Sequence, residues 1–251
     1  LEYWIVAGLA AFLMGLSKGG IPMIALLSVP LMSLFMDPAH AAGLLLPIYI
    51  VADWYAVYLF RRAFSARNLK ILLPGAIGGI LVGFFAVSYV PGDAVKLLVA
   101  GIGLSYLVSA LRDRFSKGEP RVRPADVPRG LFWGSLAGLT SYVSHAGGPP
   151  FQAYVLPQRL DKMVYLGTTT IFFTVVNLMK MPPFILAGQV TWHSLSQAAW
   201  LAPLAIAGAW SGARISRWLP ERVFFLLIEV ALALVSVKLL YEVVVSQVSP
   251  V

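Results

Sequence analysis

The sequence predicts an all-α polytopic membrane protein made of two inverted-topology repeats. Each repeat reads as a broken or re-entrant helical hairpin followed by three transmembrane helices. Three observations carry this prediction. Hydrophobic residues make up 59% of the chain and charged residues 12%, against roughly 45–50% and 25% in soluble domains. Apolar runs recur from one end to the other, leaving no separate stretch suited to a soluble domain. One short motif, Gly-Gly-x-Pro, occurs twice, as Gly19-Gly20-Ile21-Pro22 and as Gly147-Gly148-Pro149-Pro150, 128 positions apart.

The apolar segments fall at about 3–16, 20–36, 39–60, 68–90 and 94–111 in the first half. In the second half they fall at about 130–144, 149–157, 163–187, 194–213 and 221–245. A helix needs about 20 residues to cross roughly 30 Å of hydrocarbon, and several segments reach that length. Segments 3–16 and 149–157 do not, and each borders a Gly-Gly-x-Pro break. Short apolar pieces meeting at such a break read as half-helices buried inside the protein. Nothing near residue 1 has the pattern of a cleaved signal peptide ahead of a soluble body.

The repeat extends past the motif. Pro74 through Gly79, followed by Gly83, matches Pro203 through Gly208, followed by Gly212. Val90-Pro91-Gly92-Asp93 matches Leu219-Pro220-Glu221-Arg222, and Asp53 matches Asn177 more loosely. The domain reading is a first repeat at 1–112, a basic linker at 113–128 and a second repeat at 129–245. Gly79, Gly83, Gly208 and Gly212 form small-xxx-small pairs, which are packing devices in membrane helices.

Loop charge sets orientation. The formal charge is +8, and the cations gather in short loops: Arg61, Arg62, Arg67 and Lys70; the linker; and Arg214, Arg217 and Arg222. The turns at 36–40 and 188–192 carry no Lys or Arg. The positive-inside rule then makes the basic loops, including the linker between the repeats, cytoplasmic, in a cell inner (plasma) membrane. Helix 39–60 runs inward and its mate 163–187 outward, which is what inverts the repeats. The basic residues therefore read as topology signals and not as a nucleic-acid surface. There are no cysteines, so disulfides, thiolate metal sites and cysteine nucleophiles are excluded. No His, Asp or Glu spacing fits a metal, and no Walker loop appears. Interrupted apolar segments at matching places in two halves point to a transporter binding site, so the expectation is a non-enzyme without cofactor or metal, its transport driven by a gradient or passive.

The candidate site follows from the breaks. Gly19-Gly20 and Gly147-Gly148 permit unusual backbone, and the prolines after them suit the first turn of a new helix. A helix starting within the membrane presents unpaired N–H groups and a positive dipole end, which favours an anion. The expected binding residues are Ser17, Lys18, Gly19, Gly20, Ile21 and Pro22 from the first motif, and Ser144, His145, Ala146, Gly147, Gly148 and Pro149 from the second. Gln152 and Asn177 add intramembrane polar groups. Lys18 supplies a full positive charge, and His145 a second one when protonated. Asp53 and His145 are the candidate coupling groups. Asp53 also lies about two turns before Arg61, which offers it a neighbouring cation. Tyr142, Thr168, Thr169, Thr170 and Glu229 are further polar groups within the spans. Lys180 reads as reaching the outer interface.

Taken in order, Gly-Leu-Ser-Lys-Gly-Gly-Ile-Pro at 15–22, Leu-Pro…Ala-Asp at 46–53 with Arg61-Arg62, Leu-Pro-Gly…Gly…Gly at 73–83, and Ser-His-Ala-Gly-Gly-Pro-Pro at 144–150 with Asn177 resemble the sulfite exporter TauE/SafE family. The likeness runs from about residue 3 to 243. It implies a two-repeat permease for sulfite, organosulfonates such as sulfoacetate, or other sulfur-containing anions. The expected function is a secondary transporter with the anion near the midplane between the two hairpin tips and with alternating access. The alternative is an anion channel, or a permease for another small oxyanion or carboxylate. The partners expected are a small anion, the lipid bilayer and a coupling proton or ion. A homodimer stays open, since lipid-facing and partner-facing apolar surfaces read alike.

Overall fold

The computed structural model describes residues 2–21, 28–32, 35–36, 38–86, 89, 92–115 and 122–248, and the regular structure among them is helical. The helices are α1 (Glu2–Lys18), α2 (Ser28–Met32), α3 (Pro38–Phe60), α4 (Ala66–Ala86), α5 (Gly92–Phe115), α6 (Val127–Ser144), α7 (Gly148–Val155), α8 (Lys162–Leu186), α9 (Trp192–Trp218) and α10 (Glu221–Val248). Five described stretches are long and apolar enough to cross a membrane: His40–Phe60, Ala66–Ala86, Gly92–Arg112, Lys162–Leu186 and Glu221–Val245. The protein is a multi-pass helical membrane protein. At 1.5 Å per residue the eight residues of α7 span only about 12 Å, so it is the half-length piece that segment 149–157 predicts. The expected arm 20–36 is described as helix only at Ser28–Met32. Pro22, Val90, Pro91 and the core of the linker lie outside the described residues.

The chain packs as two compact units, 1–64 with 162–228, and 65–161 with 229–251. Each takes helices from both sequence halves. In the first unit α1 lies along α9. A Cβ on Gly15 or Gly19 would collide with the Ala205 or Ala209 carbonyl of α9, and one on Gly208 or Gly212 with the Phe12 or Leu16 carbonyl of α1. Four glycines, spaced i,i+4 on each helix, thus let two backbones touch, which is how membrane helices gain van der Waals contact where lipid supplies no hydrophobic drive. Met14, Leu44, Leu45, Ile48, Ala198 and Leu201 pack around this seam. Tyr3 donates to Gln197 Oε1 at 3.1 Å, and Ser28 Oγ donates to the Ala10 carbonyl at 3.2 Å, tying α9 and α2 to α1.

The second unit uses the same device on α4 and α6. Gly75 and Gly79 lie against the Leu131 and Ser135 carbonyls, while Gly134 and Gly138 lie against those of Leu72 and Ala76. Gly83 faces the Tyr142 ring instead of backbone. Of the four glycines expected to pack, Gly79, Gly208 and Gly212 meet backbone and Gly83 a side chain. Asp126 caps α6 by accepting from the Arg129 N–H at 3.0 Å. Asn68 and Gln158 exchange two amide hydrogen bonds, 2.9 and 3.1 Å, fastening the start of α4 to the turn after α7.

Replacing Gly79 or Gly208 with leucine inserts a side chain where a carbonyl stands. The expected cost exceeds the about 1–3 kcal/mol of ordinary overpacking, read as a fall in thermal unfolding midpoint in detergent. Gly78→Ala is the control, because an added Cβ there meets nothing within 4 Å. It should leave the midpoint unchanged or raise it slightly.

Candidate functional site

In the first unit the expected motif residues Ser17, Lys18, Gly19, Gly20 and Ile21 form the end of α1. Gly20 takes φ +114°, a conformation open to glycine. Its N–H donates to the Ser17 carbonyl at 3.1 Å and the Ile21 N–H to the Leu16 carbonyl at 3.3 Å. This pair of bonds is the Schellman pattern, which satisfies the last carbonyls of a helix. The Gly19 carbonyl accepts from the buried Ser216 hydroxyl of α9 at 3.0 Å. The first glycine pair therefore closes α1. Lys18 sits on the last turn, at the negative end of the helix dipole, where a cation is favoured.

Lys18 Nζ lies 2.7 Å from Asp53 Oδ1 of α3. Asp53 is fully buried, while the Lys18 side chain keeps 15% exposure. Asn177 of α8 donates from Nδ2 to Asp53 Oδ2 at 2.7 Å. The Tyr49 and Phe173 rings flank the ammonium, with centroids at 5.0 and 5.7 Å, within cation–π reach. The partner of Asp53 is thus Lys18 and not a cation of the Arg61 turn. Asp53 and Asn177, loosely matched as repeat mates in sequence, are bonded to each other.

Lys180 departs from expectation. It is 1% exposed instead of reaching the interface. It lies in electrostatic range of both Asp53 and Lys18, with its ammonium 5.6 Å from the Phe184 ring centroid. Pro182 and Pro183 lack the N–H groups that would bond the Leu178 and Met179 carbonyls, so acceptors are left in the turn that carries Lys180. The signal was present in the spacing. Phe173, Asn177, Lys180 and Phe184 follow i, i+4, i+7 and i+11, one face of α8, while Tyr49 and Asp53 share a face of α3. The cluster holds two cations, one carboxylate and one amide. The described Thr168, Thr169 and Thr174 hydroxyls bond carbonyls one turn back on α8.

The second motif, in the second unit, is built differently. His145 holds the left-handed position, φ 53°, and its N–H donates to the Ser141 carbonyl at 3.1 Å to end α6. Ser144 Oγ donates to the Thr140 carbonyl at 3.1 Å. Ala146 lies in the short link that follows. Gly147 then caps α7, with Gly148 and Pro149 in its first turn. A Cβ on Gly148 would meet nothing within 4 Å, so this helix start has space beside it. Gln152 is buried on α7. The same Gly-Gly pair that closes a helix in the first motif opens one in the second.

A profile of the family described as Sulfite exporter TauE/SafE matches residues 4–239. The chain belongs to this family. No curated protein and no solved structure matches it. TauE/SafE membership carries the coarse function, a membrane transporter of sulfite-type anions and not an enzyme.

Lys18→Met strands a buried carboxylate, and the expected loss is about 3–5 kcal/mol of stability. The double variant K18M/D53N should recover most of that loss, giving a large coupling in a double-mutant cycle of chemical unfolding. His145→Gly relieves a left-handed residue and should raise stability by up to about 1 kcal/mol. Unfolding midpoints check both.

Proposed function

We propose that the protein is a secondary transporter of small sulfur-containing anions, sulfite or an organosulfonate such as sulfoacetate. In this reading the anion binds at the Lys18 cluster. The observation that carries it is the buried Lys18–Asp53 ion pair joined by Asn177 and accompanied by Lys180. The two ammonium groups and the Asn177 amide are donors of the kind a small oxyanion accepts. A sulfonate or sulfite oxygen takes over Lys18 Nζ from Asp53, while the Asn177 amide and the Lys180 ammonium hold the groups on either side. Burial makes each exchanged contact strong, since the medium screens charge weakly.

The same exchange supplies coupling. When the anion takes Lys18, Asp53 loses its counter-ion in an apolar setting and accepts a proton to stay neutral. Anion and proton then move together, and alternating exposure follows from one element moving against another. The share of Ser144, His145 and Gly147-Gly148 in binding rests on the sequence repeat, with His145 as a second coupling candidate. The cytoplasmic placement of the basic loops and the location in the inner membrane rest on the charge rule.

The test is flux of labelled sulfite and sulfoacetate in proteoliposomes under an imposed pH gradient. Lys18→Ala and Lys180→Met should each lower flux by at least tenfold. Asp53→Asn should retain anion exchange while losing the response to the pH gradient. Saturable flux supports a carrier, and large single-channel currents would establish a pore instead. Unchanged flux in Lys18→Ala would refute this site.

A further inference from the structure

The basic end of the first unit holds a cavity whose lining shares no residue with the Lys18 cluster. Leu59, from the last turn of α3, and Trp210, Ala213, Arg214, Arg217 and Trp218 of α9 line a cavity of about 360 Å³. The five α9 residues follow i, i+3, i+4, i+7 and i+8, so they form a single stripe of that helix. Two guanidiniums thus stand in a row between two indoles. Trp210 is 50% exposed and Trp218 82% exposed, and Arg214 lies over the Trp210 ring at 5.3 Å.

Topology alone does not require this arrangement. A cation that only sets orientation needs no cavity and no aromatic walls. Helix capping does not use these arginines either. Lys162 Nζ donates to the Arg217 and Leu219 carbonyls at 3.3 and 2.7 Å, so a lysine supplies donors to the exposed end of α9. The nearby Glu221 carboxylate accepts from the Lys162 N–H at 3.0 Å. Among the described residues neither Arg214 nor Arg217 forms an ion pair with a carboxylate. Both forks therefore keep donors for an oxyanion, and guanidinium geometry matches phosphate in a bidentate way. Exposed tryptophans beside them fit the headgroup level of a bilayer, where an indole has one apolar and one wet side.

We propose that this cavity binds the phosphodiester headgroup of an anionic phospholipid, in the leaflet that meets the basic loops. Arg214 and Arg217 take the phosphate, the Trp210 and Trp218 rings cover the glycerol, and Leu59 meets the first acyl carbons. A lipid seated there braces the last two turns of α9 against the end of α3.

The experiment is a lipid titration of the purified full-length chain by native mass spectrometry, with thermal unfolding as the second readout. Phosphatidylglycerol should bind and raise the unfolding midpoint, while phosphatidylcholine should do neither. Arg214→Gln and Arg217→Gln should each weaken phosphatidylglycerol by about fivefold, as expected for one surface cation near anionic lipid. Arg123→Gln, elsewhere in the chain, should leave it unchanged. Trp218→Ala, which keeps both charges, serves if an arginine variant fails to fold, and should also weaken binding. Retained affinity in the arginine or Trp218 variants, equal loss in Arg123→Gln, or the same midpoint shift with inorganic phosphate alone would each overturn the lipid site.

Discussion

The first unit is organised around one buried ion pair. Neither Lys18 nor Asp53 tolerates apolar surroundings alone, because desolvating an unpaired charge costs several kcal/mol. Each must therefore be delivered to the other within hydrogen-bond distance. That demand sets where α1 stops, which face α3 turns inward, and how α8 approaches with Asn177. The left-handed turn at Gly20 and the bond from Ser216 to the Gly19 carbonyl hold the end of α1 in place. The Lys18 ammonium then sits between two aromatic rings and a carboxylate.

Glycine makes this arrangement possible in a second way. Inside a bilayer, helices gain little from hiding apolar surface, so they associate where backbones can approach closely. Gly15, Gly19, Gly208 and Gly212 bring α1 and α9 into such contact, and Gly19 serves both the seam and the turn beside Lys18. The α4–α6 pair of the second unit repeats the device with Gly75, Gly79, Gly134 and Gly138. Glycine spacing thus provides the rigid frame, and the few polar residues are placed by that frame.

A pair that is strong because it is buried is also one that a ligand can exchange. On the proposed function, an anion that replaces the Asp53 carboxylate meets the Asn177 donor and both lysines. The carboxylate left behind must then change its own state. In the proposed mechanism, that replacement links binding to proton movement.

Much of the fold was legible in the sequence. Apolar run length marked the membrane helices, the short segment 149–157 marked α7, and small-xxx-small spacing marked the seams. Ser17-Lys18-Gly19-Gly20 marked a cation at a helix end, and the loose match of Asp53 with Asn177 named two side chains that bond each other. These features were readable because they depend on local periodicity and on residue type. The different tasks of the two glycine pairs were not readable. Closing α1 and opening α7 differ only by which residue takes the left-handed turn, and that role passes to His145 in the second motif. Lys180 was misread as interfacial because hydropathy reports the cost of burial and not the partner that offsets it. The sequence by itself determined a helical membrane protein with paired glycine breaks and a cation at the first. Only the tertiary structure decided that this cation meets Asp53, and that Lys180 turns inward to join them. Such pairings join residues distant in sequence, 124 positions apart for Asp53 and Asn177, and are set by which helix faces pack together.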